Sequence, residues 1–206
     1  LRAQKFISSK KEINHKFSYH LKTIDKKYFF SLIIISSTAD TRKDILVYLS
    51  KKIKYKYCIL EKVLTQSVET KFNSILTNEI NNVWVNTPRK IMPLYKKVKK
   101  IISNEGIFQM RVIGNKWGIC CNGCHYIDLM SWLSNEKIIS INEANIIDKS
   151  SWYESKRPNF YDLVGIINIK FSSGSSLQLN SNLNESLTHK VKIETESNTI
   201  DIDELS

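Results

Sequence analysis

A lysine, an imidazole and a carboxylate stand at spacings that suit proton movement beside a hydride transfer. They are Lys62 in Ile59-Leu60-Glu61-Lys62, and His125 and Asp128 in Asn122-Gly123-Cys124-His125-Tyr126-Ile127-Asp128. A lysine can stabilise charge developing on an alcohol oxygen and an imidazole can accept its proton, while a nicotinamide takes the hydride. Glu61-Lys62 closes an apolar run that reads as a strand. At the carboxyl end of a parallel strand, a lysine points into the crevice where open α/β sheets bind ligands. His125 precedes Asp128 by three positions, so on a helix the two share a face. Each feature also has an ordinary reading: adjacent Glu and Lys are commonly a solvated pair, and a helical His beside Asp is commonly structural.

Other reactive types cluster nearby. Cys121-Asn122-Gly123-Cys124-His125 matches the C-x-x-C-H pattern of covalent haem attachment. Haem attachment needs an oxidising compartment and usually a distal Met or His on a mostly helical frame, whereas this chain is strand-rich, with Met only at Met92, Met110 and Met130. Cys120, Cys121, Cys124 and His125 fall within about one and a half helical turns and cannot surround zinc tetrahedrally. No metal is expected, and the cysteines read as reduced thiols. Trp152-Tyr153-Glu154-Ser155-Lys156-Arg157 mixes aromatic and cationic side chains, which suits an anionic or sugar-like ligand.

The elements that must hold these residues follow from periodicity. Residues 30–37 (FSLIIISS) form a continuous apolar run breaking into polar Thr38-Ala39-Asp40, as in a strand buried on both faces of a parallel sheet. A helix is predicted over 41–52, a strand over 57–60, a helix capped by Ser67, a strand over 82–85 closed by Thr87-Pro88-Arg89, and a helix opened by Pro93 and running to about residue 104. Before these, residues 1–10 suit a helix and 17–24 a strand. After Gly106 the pattern changes to a strand over 107–112, a helix over 121–133, and strands over 138–147, 161–171, 176–183, 191–194 and 199–202 separated by turn residues. The expected fold is therefore α/β followed by α+β: an incomplete Rossmann-like parallel sheet over 1–105, and a domain with a mostly antiparallel open sheet over 106–206. No glycine precedes Gly106. A dinucleotide fold needs glycines at its first turn so that backbone amides can approach the pyrophosphate, and residues 1–30 cannot supply them.

Composition limits the alternatives. The net charge is +11, yet residues 1–116 hold 24 Lys and Arg against 8 Asp and Glu, while the remainder holds 7 against 12. Only five of the basic residues are arginine, the type best suited to bidentate phosphate and guanine contacts, so the lysine excess reads as chain-wide bias and no nucleic-acid partner is expected. No run approaches the roughly 20 apolar residues of a membrane span, and the beginning lacks the order of a signal peptide. A cytoplasmic protein without a membrane partner is expected.

Together the segments resemble the glucose-fructose oxidoreductase/inositol dehydrogenase (Gfo/Idh/MocA) family of NAD(P)-dependent oxidoreductases. SLIIISSTADTR resembles that family's strand and cofactor-contacting loop, Ile59-Leu60-Glu61-Lys62-Val63-Leu64 its Glu-Lys-Pro signature, and Gly123 to Leu129 its helix bearing the active-site histidine. Val63 stands where the family usually has proline, and Cys121 where many members carry aspartate. The resemblance implies an oxidoreductase of a sugar or nucleotide sugar using NAD or NADP, and Val85-Asn86-Thr87-Pro88-Arg89 and Trp152 to Arg157 resemble members associated with surface-polysaccharide synthesis. It implies catalytic roles for Lys62 and His125, with Asp128 orienting His125 or binding a neighbouring hydroxyl, and cofactor contacts from Ser37, Thr38, Arg42 and Glu61. A homo-oligomer formed through the C-terminal sheet is expected. The missing glycine turn and short length make the chain read as a fragment or degenerate copy that binds NAD(H) feebly. Two other classes remain open, a non-catalytic assembly protein of the same fold and a basic nucleic-acid binder.

Overall fold

The computed structural model describes residues 29–66, 82–144, 151–155, 157 and 159–204. The helix and strand expected before residue 25, and the helix capped by Ser67, lie outside the described residues.

The first sheet is built from β1 (Phe29–Ile35), β2 (Lys54–Leu60) and β3 (Val83–Val85), in the order β1-β2-β3 and parallel throughout. Helix α1 (Ala39–Lys52) crosses from β1 to β2. It starts where the Thr38 carbonyl accepts the Arg42 amide at 3.1 Å, and it carries Asp40 in its first turn and Lys51 and Lys52 in its last, matching the helix dipole. Its Leu46 and Leu49 bury against Ile35, Cys58 and Leu60, which project from one side of the sheet. The run 30–37 was expected to be covered on both sides, yet Leu32 is 47% and Ile34 63% exposed. Strand side chains alternate between faces, and among the described residues α1 lies on one face only.

A 3-10 turn (Pro88–Ile91) and helix α2 (Pro93–Ile101) follow. Proline opens both, its fixed φ suiting a first turn whose amides are unpaired anyway. The second sheet contains β4 (Gln109–Asn115), β5 (Ile138–Ala144), β8 (Gly165–Phe171), β9 (Ser176–Asn182), β10 (Lys190–Glu194) and β11 (Thr199–Ile202), ordered β11-β10-β4-β9-β8-β5. Every pairing is antiparallel except β4 with β9. Between β5 and β8 lies the hairpin of β6 (Trp152–Glu154) and β7 (Tyr161–Leu163). The single strand expected over 161–171 is thus two, broken ahead of Gly165, whose φ of 150° favours glycine.

Helix α3 (Ile119–Ser134) lies across this sheet. It is bounded by left-handed residues at both ends, Gly118 (φ 82°) and Asn135 (φ 59°), types that tolerate that conformation. Tyr126, Leu129, Met130 and Leu133 bury against Met110, Val112, Leu177 and Leu179, which alternate with polar positions along β4 and β9. Gly123 is where α3 meets the sheet: a Cβ there would sit 3.2 Å from the Leu179 side chain. The same core draws in Tyr95 and Val98 of α2 and the following Ile102, from upstream of residue 105. No helix among the described residues is long and apolar enough to cross a membrane.

Candidate functional site

Lys62, just past the end of β2, meets the amino end of α3. Glu61 ties the ends of β2 and β3 together: one carboxylate oxygen accepts the Lys62 amide at 2.9 Å and the other accepts Asn86 Nδ2 at 3.1 Å, from just past β3. Lys62 then reaches the second sheet's helix. Its Nζ donates to Asn122 Oδ1 at 2.8 Å, and lies 3.1 Å from both the carbonyl oxygen and the Sγ of Cys121. Asn122 is itself held by donating from Nδ2 to the Trp117 carbonyl at 2.8 Å.

Beside this contact opens a cleft of about 710 Å³, a size typical of ligand pockets. Lys62, Lys116, Trp117, Tyr153, Arg157 and Tyr161 are among its walls. Asp162, from β7, borders it and caps α3, accepting the Cys120 amide at 2.9 Å and the Cys121 amide at 3.4 Å. A carboxylate at this end opposes the positive helix terminus and satisfies two orphan amides.

His125 lies one turn beyond Cys121, is 7% exposed, and is not among the cleft's walls. Its Nδ1 is buried without a partner. Burial, reinforced by the positive charges of Arg89 and Lys62, lowers its pKa from 6.5 to about 4, so the ring is neutral at pH 7. Asp128 does not orient it. Asp128 Oδ1 instead pairs with Lys90 at 3.2 Å, because the 3-10 turn brings that ammonium against α3, and Oδ2 is buried without a partner.

The lowered His125 pKa has a measurable effect on folding. Between pH 6.5 and about 4 the unfolded chain binds a proton that the folded ring refuses, so stability falls as pH drops through this window. The loss is expected to be about 3 kcal/mol, read by urea unfolding at successive pH values. A His125→Gln variant should lose this slope, and an unchanged slope would assign it to another group.

The residues expected to meet a cofactor lie around the end of β1. Ser37 has a buried hydroxyl without a partner, and Thr38 caps α1 through its carbonyl. Arg42, expected to face a cofactor, is only 1% exposed and donates to the carbonyl oxygens of Ser37, Val63 and Leu64, stitching the loops after β1 and β2 together. Burial lowers its pKa.

One cluster had no counterpart in the sequence reading. Glu204, past β11, accepts hydrogen bonds from Arg89 Nε and Nη2 at 2.8 Å each, from the Tyr95 hydroxyl at 2.5 Å and from the Tyr126 hydroxyl at 2.6 Å. Tyr126 OH also lies 2.6 Å from His189 Nε2, and the Arg89 guanidinium sits 4.2 Å from the Tyr126 ring centre. Burial alone would raise the Glu204 pKa, but the nearby His189 ring, 3.7 Å away, and the hydrogen bonds from Arg89 and the two tyrosines hold it well below the ordinary carboxylate range. Arg89 was legible only as the end of a turn. Its acid partner is 115 residues away, and no local pattern links them.

The four cysteines are free, and among the described residues no group of three or more His, Cys, Asp and Glu is placed to hold a metal. Burial and the Asp162 carboxylate push the Cys120 thiol up to about 12, and burial raises Cys124.

No family model matches the chain, and no curated protein matches it in sequence. Solved structures do resemble it. A dehydrogenase (MviM) from Clostridium difficile superposes with a TM-score of 0.64 at 15% identity, covering 99% of this chain and 65% of its own. Myo-inositol dehydrogenase from Lactobacillus casei, solved with NAD(H) and myo-inositol, gives 0.60 at 12% identity over 84% of this chain and 54% of its own. Myo-inositol 2-dehydrogenase from Lactobacillus plantarum gives 0.62 at 16% identity over 84% and 57%. The chain spans less than two thirds of the length of these three proteins. This chain's three-strand parallel sheet followed by a mostly antiparallel mixed sheet is thus similar in fold to those dehydrogenases.

Proposed function

We propose that the chain is the catalytic part of an oxidoreductase that oxidises a hydroxyl of a sugar or nucleotide sugar with NAD or NADP. The observation that carries this reading is the contact of Lys62 with the first turn of α3, one turn from His125, beside a cleft of ligand size. The likeness in fold to dehydrogenases, one of them solved with NAD(H), supports it.

The residues fit the nicotinamide end of such a cofactor better than its pyrophosphate. Ser37 offers an unpartnered buried hydroxyl at the carboxyl end of β1, next to the loop that Arg42 fixes, and Glu61 stands at the end of the neighbouring strand. No glycine before Gly106 can form a phosphate-cradling turn. When bound, the nicotinamide supplies the hydride acceptor.

The chain's own groups handle the proton and the charge. Lys62 exchanges its contacts with Cys121 and Asn122 for the reacting oxygen and stabilises the negative charge that develops there. His125, neutral at pH 7, accepts the hydroxyl proton. Asp128, held on Lys90, keeps that second ammonium against α3. The exclusion of His125 from the cleft walls favours a second reading, a non-catalytic protein that uses the fold for assembly.

Nicotinamide reduction, followed by absorbance with a panel of sugars and nucleotide sugars, separates the two. Replacing His125 with Asn is expected to lower turnover about 100-fold with little change in substrate affinity. Turnover unchanged by that replacement would place the proton acceptor at another residue, and no reduction with any substrate would leave the assembly reading standing.

A further inference from the structure

The cleft beside Lys62 carries more positive charge than a neutral polyol requires. Lys62, Lys116 and Arg157 all line it, and its one acid among the described residues is Asp162. That carboxylate is already engaged: Oδ1 accepts the Cys120 and Leu163 amides at 2.9 Å each, and Oδ2 accepts the Cys121 amide at 3.4 Å. Among the described residues neither Lys116 nor Arg157 forms an ion pair. The field reaches inward, because Arg157 adds to the lowering of the Arg42 pKa that burial begins and Glu61 opposes.

Backbone geometry singles out Lys116. Its φ of 39° is left-handed, a conformation that costs a non-glycine residue about 1–3 kcal/mol and concentrates at ligand sites. Its amide is clamped on the Asn182 carbonyl at 3.0 Å, and its ammonium lies 5.9 Å from the ring centre of Tyr153, another wall of the cleft. Arg157 brings a planar guanidinium, whose donors match phosphate and carboxylate oxygens in pairs. Aromatic surface completes the walls, with Tyr161 63% exposed.

We infer that the cleft binds a sugar bearing an anionic group, phosphate or carboxylate, with that group on Lys116 and Arg157 and a ring hydroxyl directed toward Lys62. The direction of the ring rests on the oxidoreductase reading; the anion subsite does not.

Calorimetric titration of the 206-residue chain tests it, with UDP-glucose, glucose 6-phosphate, glucuronate and glucose as probes and no nicotinamide present. At least one charged probe is expected to bind about tenfold or more tighter than glucose, and to weaken as salt is raised. Tight binding of the two phosphate probes alone identifies phosphate as the group, and tight binding of glucuronate alone identifies carboxylate. Lys116→Gln with Arg157→Gln should bring the charged probe down to the level of glucose, with circular dichroism confirming that the variant is folded. Equal binding of glucose and every charged probe, no binding of any charged probe, or a folded double variant of undiminished affinity would overturn the inference. Because no hydride transfer is measured, a charged sugar that binds but never reduces nicotinamide would sink the oxidoreductase reading alone.

Discussion

Replacing Arg89 with methionine is expected to cost about 3–5 kcal/mol of folding free energy, read as a lowered urea midpoint at unchanged slope. Arg89 meets Glu204 through two hydrogen bonds of 2.8 Å, and both side chains are 17% exposed. Removing one member strands a mostly buried carboxylate that also anchors Tyr95 and Tyr126. Burial by itself would lower the Arg89 pKa, but the hydrogen bonds and charge of Glu204 raise it above its ordinary value, so the pair is mutually dependent. The double variant Arg89→Met, Glu204→Gln should recover much of the loss. The amide oxygen still accepts one tyrosine hydroxyl while its NH2 donates to the other, and no uncompensated charge is left. A double variant as unstable as Arg89→Met would show that the cost lies in the packing of the arginine stem.

Replacing Lys62 with methionine is expected to lower turnover in the nicotinamide assay by about 100- to 1000-fold, the range found for removing a donor aimed at developing charge. The apolar stem is retained, so the strand end should still meet α3. A second readout separates chemistry from positioning. Lys62 is one of the charges that depress the His125 pKa, so the acid limb of the pH–rate profile should move toward higher pH in the variant. Lys62→Arg restores the charge on a wider, planar head and should recover turnover only in part. Near-normal turnover in Lys62→Met would place catalysis elsewhere.

The order of elements was legible wherever hydrophobic period and turn chemistry agreed. The run ending at Ile35, the stripe of α1, Pro93 at the start of α2 and the alternation of β9 are local patterns, and the structure follows them. The site was legible as two halves. Glu61-Lys62 marks a strand end and Gly123 to Asp128 a helix, but nothing local says that Lys62 selects Asn122 and Cys121. Asp128 shows the limit of spacing arguments. Three residues along a helix permit contact with His125, yet a lysine from another element takes the carboxylate. Asp162 sits 42 residues from the amide it caps, at the start of the strand expected over 161–171. Long-range pairs of this kind leave no periodic trace.

The sheet order governs when the second core can close during folding. Strand β4 is the first of its six strands in the chain, yet it lies inside the sheet between β9 and β10. Both of its neighbours come from the last three strands. Until residues 176–194 have left the ribosome, β4 has two unpaired edges and Met110 and Val112 have no partner strand. Such non-local pairing slows folding and leaves strand edges open to association with other chains. The hairpin of β6 and β7 and helix α3 can form earlier from nearby residues. Closure of β4 between its late partners is therefore the step a chaperone has most reason to guard.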